Sequence, residues 1–248
     1  RPCPPGPERA APSGSPPGPA TPRTIPASPT RRRSARYIPA GGSRVAPLAA
    51  HAEFELSAYG GFQTSPHSVV SITGDSVLPD MGFTAGWEGR SFSMPPYWGL
   101  RATWWSNNHL GWGLEFSHAK AYADDETLAT TGFDHFEFSD GHNLLTVNLL
   151  RRWPDALGSF TPYAGLGAGI AIPHVELTDE GTHTFGYQVT GPAVTWVAGV
   201  SRPISAHFAL FVEYKGSYSW NTAILTTGGD MQLNLVTNAL NLGISYKF

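Results

Sequence analysis

The chain has 248 residues, with 16 Lys+Arg, 19 Asp+Glu, 22 prolines, eight tryptophans and one cysteine, for a net charge of −3. A lone Cys3 leaves no disulfide framework and no cysteine metal site. No apolar run reaches the roughly 18 residues a transmembrane helix needs, which excludes such a helix but not a barrel, whose strands need only about ten residues with every second one apolar.

In chain order, the first fifty residues are a different material from the rest. They hold 13 of the prolines and 8 of the Lys+Arg, with Glu8 as the sole acid, and show no apolar period. Such a segment cannot bury enough surface to offset its ordering entropy, so residues 1–52 are expected to be a disordered Pro/Arg-rich head. Its end resembles a degraded signal peptide. Ala50-His51-Ala52 is a small-x-small triplet of the kind signal peptidase cuts, with Arg31 to Arg33, Arg36 and Arg44 upstream. The mature chain is expected to start at Glu53, and residues 53–248 to form the folded body. There 8 basic residues face 18 acidic ones, a net charge of −10.

The body reads as eight strands of alternating character. They are 54–63, 97–105, 112–122, 144–153, 161–177, 193–201, 208–218 and 235–248. In the last, "LVTNALNLGISYKF", Leu240, Leu242, Ile244, Tyr246 and Phe248 share one face, opposite Asn241, Gly243, Ser245 and Lys247. A period of two means an extended segment with one apolar face. The connections alternate too: 106–111, 154–160 and 202–207 are short, whereas 64–96, 124–143, 178–192 and 219–234 are long and polar. Aromatics gather at strand ends (Trp98, Trp104, Trp105, Trp112, Trp153, Tyr246, Phe248), as interfacial girdles do. The expected fold is an all-β, eight-stranded antiparallel transmembrane barrel with short periplasmic turns and long outer loops, in a Gram-negative outer membrane. Phe248 resembles the terminal signal read by the barrel-assembly machinery.

Charges on the inward parity are Glu55, Arg101, Glu115, Arg152, Glu213 and Lys215, with Arg101 and Glu115 placed to pair across one hairpin. A closed polar lumen must pair its charges, because unpaired ones are costly; Lys215 is expected nearest the loop end. At the outer rim, His118 and Lys120 share the parity of Phe116, and His174 and Glu176 that of Ile172, all facing outward. Pro173 is a candidate bulge that would re-aim the second pair. His174-x-Glu176 is a candidate metal pair, with His118 two strands, about 10 Å, away. Ser117 and His118 cannot act as a dyad, since neighbours on a strand face opposite sides. The loop acids read as solvated charge. The aromatic, Arg-bearing loops "GFTAGWEGRSFSMPPYWG" and "FGYQVTGPAVTW" look ordered and binding-competent, with Trp87, Arg90 and Tyr187 as candidates. No nucleotide loop, serine elbow or basic nucleic-acid patch is present.

Several stretches together resemble the lipid A oxidase family of rhizobial outer membranes: "YGGFQTSPHS", "GWEGRSFSMPPYWGLRATWW", "GLEFSHAKAYA", "FEFSDGHN", "TPYAGLGAGIAIPHVE", "YQVTGPAVTW" and "EYKGSYS…VTNALNLGISYKF". The likeness runs from about residue 54 to 248. It implies a barrel that uses molecular oxygen as co-substrate to convert the reducing-end glucosamine of lipid A to 2-aminogluconate, releasing hydrogen peroxide. A divalent metal is left open. The residues placed for this chemistry are His118, His174 and Glu176 as catalytic groups, with Trp87, Arg90, Lys120, Tyr187 and Lys215 near the lipopolysaccharide. The alternative is a non-enzymatic surface barrel serving membrane integrity or binding through its loops.

Overall fold

The computed structural model describes Gly18 and residues 53–248, with the backbone alone at Ser139. Apart from Gly18, the expected head and the cleavage after Ala52 lie outside the described residues. The elements are β1 (Glu53–Thr64), β2 (Ser68–Thr73), β3 (Met81–Ala85), β4 (Trp87–Glu88), β5 (Trp98–Trp105), β6 (Leu110–Ala123), α1 (Asp125–Thr131), β7 (His135–Arg152), β8 (Thr161–Asp179), β9 (Thr182–Tyr187), β10 (Gly191–Pro203), β11 (Phe208–Ile224) and β12 (Asp230–Lys247).

Eight of these form a ring in the order β1-β5-β6-β7-β8-β10-β11-β12, all antiparallel. β12 then pairs back onto β1, from Glu55↔Lys247 to Thr64↔Asn238. Closure removes both sheet edges, so the backbone can cross lipid with its polar groups paired. Leu56, Leu100, Trp112, Leu114, Val147, Leu166, Leu210 and Leu242 stand exposed on the outside. Ser57, Thr103, Asn148, Ser217 and Asn241 are buried inside. An apolar exterior around a polar interior is the arrangement of a membrane-spanning barrel.

The long connections differ from the polar loops expected. β7 begins at His135, β8 runs to Asp179, β11 reaches Ile224 and β12 starts at Asp230, so the wall continues well beyond the lipid-facing belt. The β2–β3 hairpin extends the sheet from β12, β4 pairs with β6, and β9 pairs with β8. Above the belt the hydrophobic phase reverses. On β12, Leu240, Leu242 and Ile244 face out, whereas Met231, Leu233 and Leu235 face in, on the same unbroken pleat. On β8, Leu166 and Ile170 face out, but Val175 and Leu177 face in. The inward set builds an apolar core with Ile72, Trp87, Phe136 and Phe138. Water surrounds this end, so burial drives apolar side chains inward there, as in a soluble protein.

The middle of the lumen is filled by charge. Arg101 Nε meets Glu115 at 3.0 Å, and its two terminal nitrogens meet Glu213 at 3.0 and 2.9 Å. Lys215 Nζ donates to Glu115 at 2.5 Å and to Tyr59 at 2.8 Å. Tyr163 donates to Glu213 at 2.6 Å, and Asn148 and Asn241 donate to the two carboxylates. Two cations against two carboxylates give a neutral plug, and an eight-stranded interior is just wide enough to be filled this way. The pairing expected for Arg101 and Glu115 holds. At the short-turn end, Arg152 forks onto Glu53 at 3.0 and 2.8 Å.

Candidate functional site

On β8–β11 the outward apolar surface climbs past the belt through Tyr187, Val189, Trp220 and Ile224, all exposed. At the same height on β6 and β7 the outer wall turns polar. His118 sits beside Trp98 and Asn143, one row above the apolar positions Leu100, Phe116 and Leu145, and Lys120 lies further up β6. Both side chains keep the outward parity expected of them. Both are nevertheless covered: His118 is 5% exposed and Lys120 0%.

Two irregularities produce that cover. In β7 the pairing slips between Glu137 and His142, pushing Asp140 and Gly141 out of the ladder. Gly141 adopts φ +116, and a Cβ there would stand 2.2 Å from His118 Nδ1, so only glycine fits. The bulge lets Asn143 Oδ1 lie 2.9 Å from His118 Nδ1. An amide oxygen only accepts, so Nδ1 carries the proton and Nε2 keeps the lone pair. Nε2 is buried and has no partner. The imidazole stacks on Trp98 at 6.1 Å. The second irregularity is the break between β4 and β5, where residues 89–96 leave the wall and fold against Lys120.

His174 also faces outward, so Pro173 does not re-aim it. It is buried edge-on between Phe185 and Tyr187, with ring centres at 4.4 and 4.8 Å. Its Nδ1 lies 3.8 Å from Asp140 Oδ2. Tyr187 is exposed and donates to the Asp140 carbonyl at 2.9 Å. The β7 bulge therefore separates the two histidines, presenting Gly141 to one and Asp140 to the other. Glu176 is half-buried, opposite Glu137. Among the described residues no group of three or more His, Cys, Asp or Glu is arranged to hold a metal ion.

Three of the expected lipid-binding residues reach this rim, and two do not. Arg90 is exposed, pairs with Glu88 at 3.0 Å and lies 4.2 Å over the Tyr122 ring. Lys120 and Tyr187 are placed as above. Trp87 instead packs in the apolar core, its Nε1 donating to Ser68 at 2.9 Å, because its strand position falls on the inward parity above the belt. Lys215 is deep in the lumen plug and not at the loop end. Asn143, Asp140 and Gly141 were missed as site residues. Their stretch, "SDGHN", reads as loop charge, and its glycine inside a strand was the available signal for a bulge.

Neither the protein-family models nor the curated proteins include a match to this chain. Among solved structures it is similar to Neisserial surface protein A, at 14% identity and TM-score 0.44, over 79% of this chain and 97% of that one. It is also similar to the outer membrane protein OprG from Pseudomonas aeruginosa, at 15% and 0.48, over 80% and 97%. A third is the outer membrane protein AlkL, solved in lipid bilayers, at 14% and 0.44, over 79% and 90%. The chain is an eight-stranded antiparallel transmembrane β-barrel, with a plugged lumen and a polar rim on one side of its outer wall.

Proposed function

We propose that this barrel acts on lipid A from the outer leaflet, oxidising its reducing-end glucosamine to 2-aminogluconate with molecular oxygen. The observation that carries the reading is His118: outward-facing, at the upper edge of the apolar belt, held in one tautomer by Asn143, with a basic Nε2 that nothing in the protein satisfies. A polar residue directed toward the membrane is costly unless it pairs or meets lipid headgroups. A lipid lying in the leaflet brings its sugar to that height from outside the wall, with no passage through the lumen. The sequence resemblance to lipid A oxidases supplies the reaction class.

The reaction balances with molecular oxygen and one water. At the sugar, the C1–H and O1–H bonds break and C1 becomes a lactone carbonyl. Two electrons and two protons pass to oxygen, giving hydrogen peroxide. Water then opens the lactone to the acid, a net gain of one oxygen atom. His118 Nε2 takes one of the two protons, and His174 is the second candidate base. A positioned base contributes about 10²–10⁴-fold in rate. His118→Ala should therefore lose activity by about that factor while the barrel keeps its heat-modifiable gel mobility. His174→Ala tests the second base. Full activity in both variants would overturn the site.

A further inference from the structure

Residues 89–96 leave the wall between β4 and β5 and fold back over Lys120. Arg90 starts the turn with φ +37, and Ser93 N–H donates to the Arg90 carbonyl at 3.0 Å. Ser91 ties the segment to β1, accepting from Gln63 N–H at 2.8 Å and donating to the Gln63 carbonyl at 3.1 Å. The tip rests on Lys120, whose ammonium donates to the carbonyls of Ser93 and Met94 at 3.3 and 3.5 Å. Between them, Phe92 and Met94 are the most exposed of the large hydrophobic side chains described, at 77% and 84%.

Those two hydrogen bonds are long; well-formed N–H···O bonds cluster near 2.9–3.0 Å. An ammonium has three donors, and a phosphate or carboxylate oxygen offers it shorter, charge-assisted bonds. Beside Lys120 on the same face, His118 Nε2 waits buried without a partner. The Lys120 ammonium is thus closed off by a short segment that grips weakly at its tip, with His118 next to it on the same strand face. That tip presents Phe92 and Met94 outward, where the leaflet lies.

We propose that residues 89–96 form a flap occupying the headgroup site: its Ser93 and Met94 carbonyls stand on Lys120 where an anionic headgroup oxygen of an outer-leaflet lipid binds, and the lipid enters by displacing them. Phe92 and Met94 keep the lifted flap in the acyl region. This rests on the outer-leaflet site above but not on the oxidation.

The flap carries its own reporter, because trypsin cuts after Arg90. Full-length protein is folded into phosphatidylcholine vesicles, and cleavage between Arg90 and Ser91 is followed by mass spectrometry. The wild type should be cut slowly. Vesicles that also contain lipid A should raise the rate by about tenfold, the scale of one charge-assisted hydrogen bond. Inorganic phosphate added to phosphatidylcholine vesicles should leave it unchanged. Lys120→Met, checked for folding by heat-modifiable mobility, should be cut rapidly with or without lipid A, and Lys120→Arg should restore slow cleavage. Equal wild-type rates with and without lipid A, or a folded Lys120→Met that stays resistant, would overturn the flap. Equal stimulation by free phosphate would overturn its assignment to lipid. Because the readout is chain cleavage, a flap that opens in a barrel without oxidase activity removes the catalytic reading and leaves this one standing.

Discussion

The lower and upper halves of this barrel are built from the same eight strands with opposite polarity. In the belt, apolar side chains such as Leu242 and Val147 face out, and Arg101, Glu115, Glu213 and Lys215 are buried inside. Above it, Leu233, Leu235, Phe138 and Leu177 face in, and Gln232 and Asn234 face water. The pleat does not change; the solvent outside does. One continuous strand therefore serves two solvents by shifting its apolar residues from one parity to the other. The candidate site sits at that change on β6 and β7, where the wall is broken by a bulge on one strand and a detached segment beside it.

The largest effect that tests this contrast comes from the lumen. Arg101→Met leaves Glu213 with only Tyr163 and Asn241 for partners, and removing one partner of a buried ion network costs about 3–5 kcal/mol. Urea titration of the barrel in lipid bilayers, followed by tryptophan fluorescence, should show that loss. An unchanged midpoint would mean that the plug is dispensable.

Leu235→Ala and Leu242→Ala sharpen the comparison directly. The first opens a hole in a packed core and should cost about 2–5 kcal/mol. The second removes a lipid-facing side chain whose space the lipid refills, so its cost should be well below the first. Equal costs would contradict the change of solvent between the two residues.

A smaller effect probes the water-facing end. Asp124 caps α1, accepting from Thr127 N–H at 2.9 Å and Thr127 Oγ1 at 2.6 Å. Those bonds hold its carboxyl below the ordinary value of 3.8. Asp124→Ala should weaken the helix by about 1 kcal/mol. Because the folded pKa is the lower one, the stabilisation is complete above the ordinary value and is lost as pH falls through the folded value. The protection of the α1 amides, taken relative to their intrinsic exchange rate at each pH, should therefore fall on acidification in the wild type. In Asp124→Asn, a comparable cap without the charge, that fall should be absent.

Much of the fold was legible because the belt imposes a strict alternation. Each of the eight strands, the three short turns and the Arg101–Glu115 pair follow from parity alone. The upper half was harder to read, because "MQLNL" and "HVEL" continue the alternation in the other phase, and a reader following Leu240 downward places Leu233 as loop. Trp87 was misplaced for the same reason. The rim was half legible. Parity put His118, Lys120 and His174 on the outer face, but their burial depends on the Gly141 bulge and on residues 89–96, which no period announces.

The central claim is settled most directly at the lipid. Lipid A is extracted from two cultures of a host that makes it without the 1-phosphate, one expressing this barrel and one not, and compared by mass spectrometry. The account predicts an oxygen-dependent gain of one oxygen atom on the reducing-end sugar, accompanied by hydrogen peroxide. Unchanged lipid A from cells that hold the folded barrel in their outer membrane would contradict it.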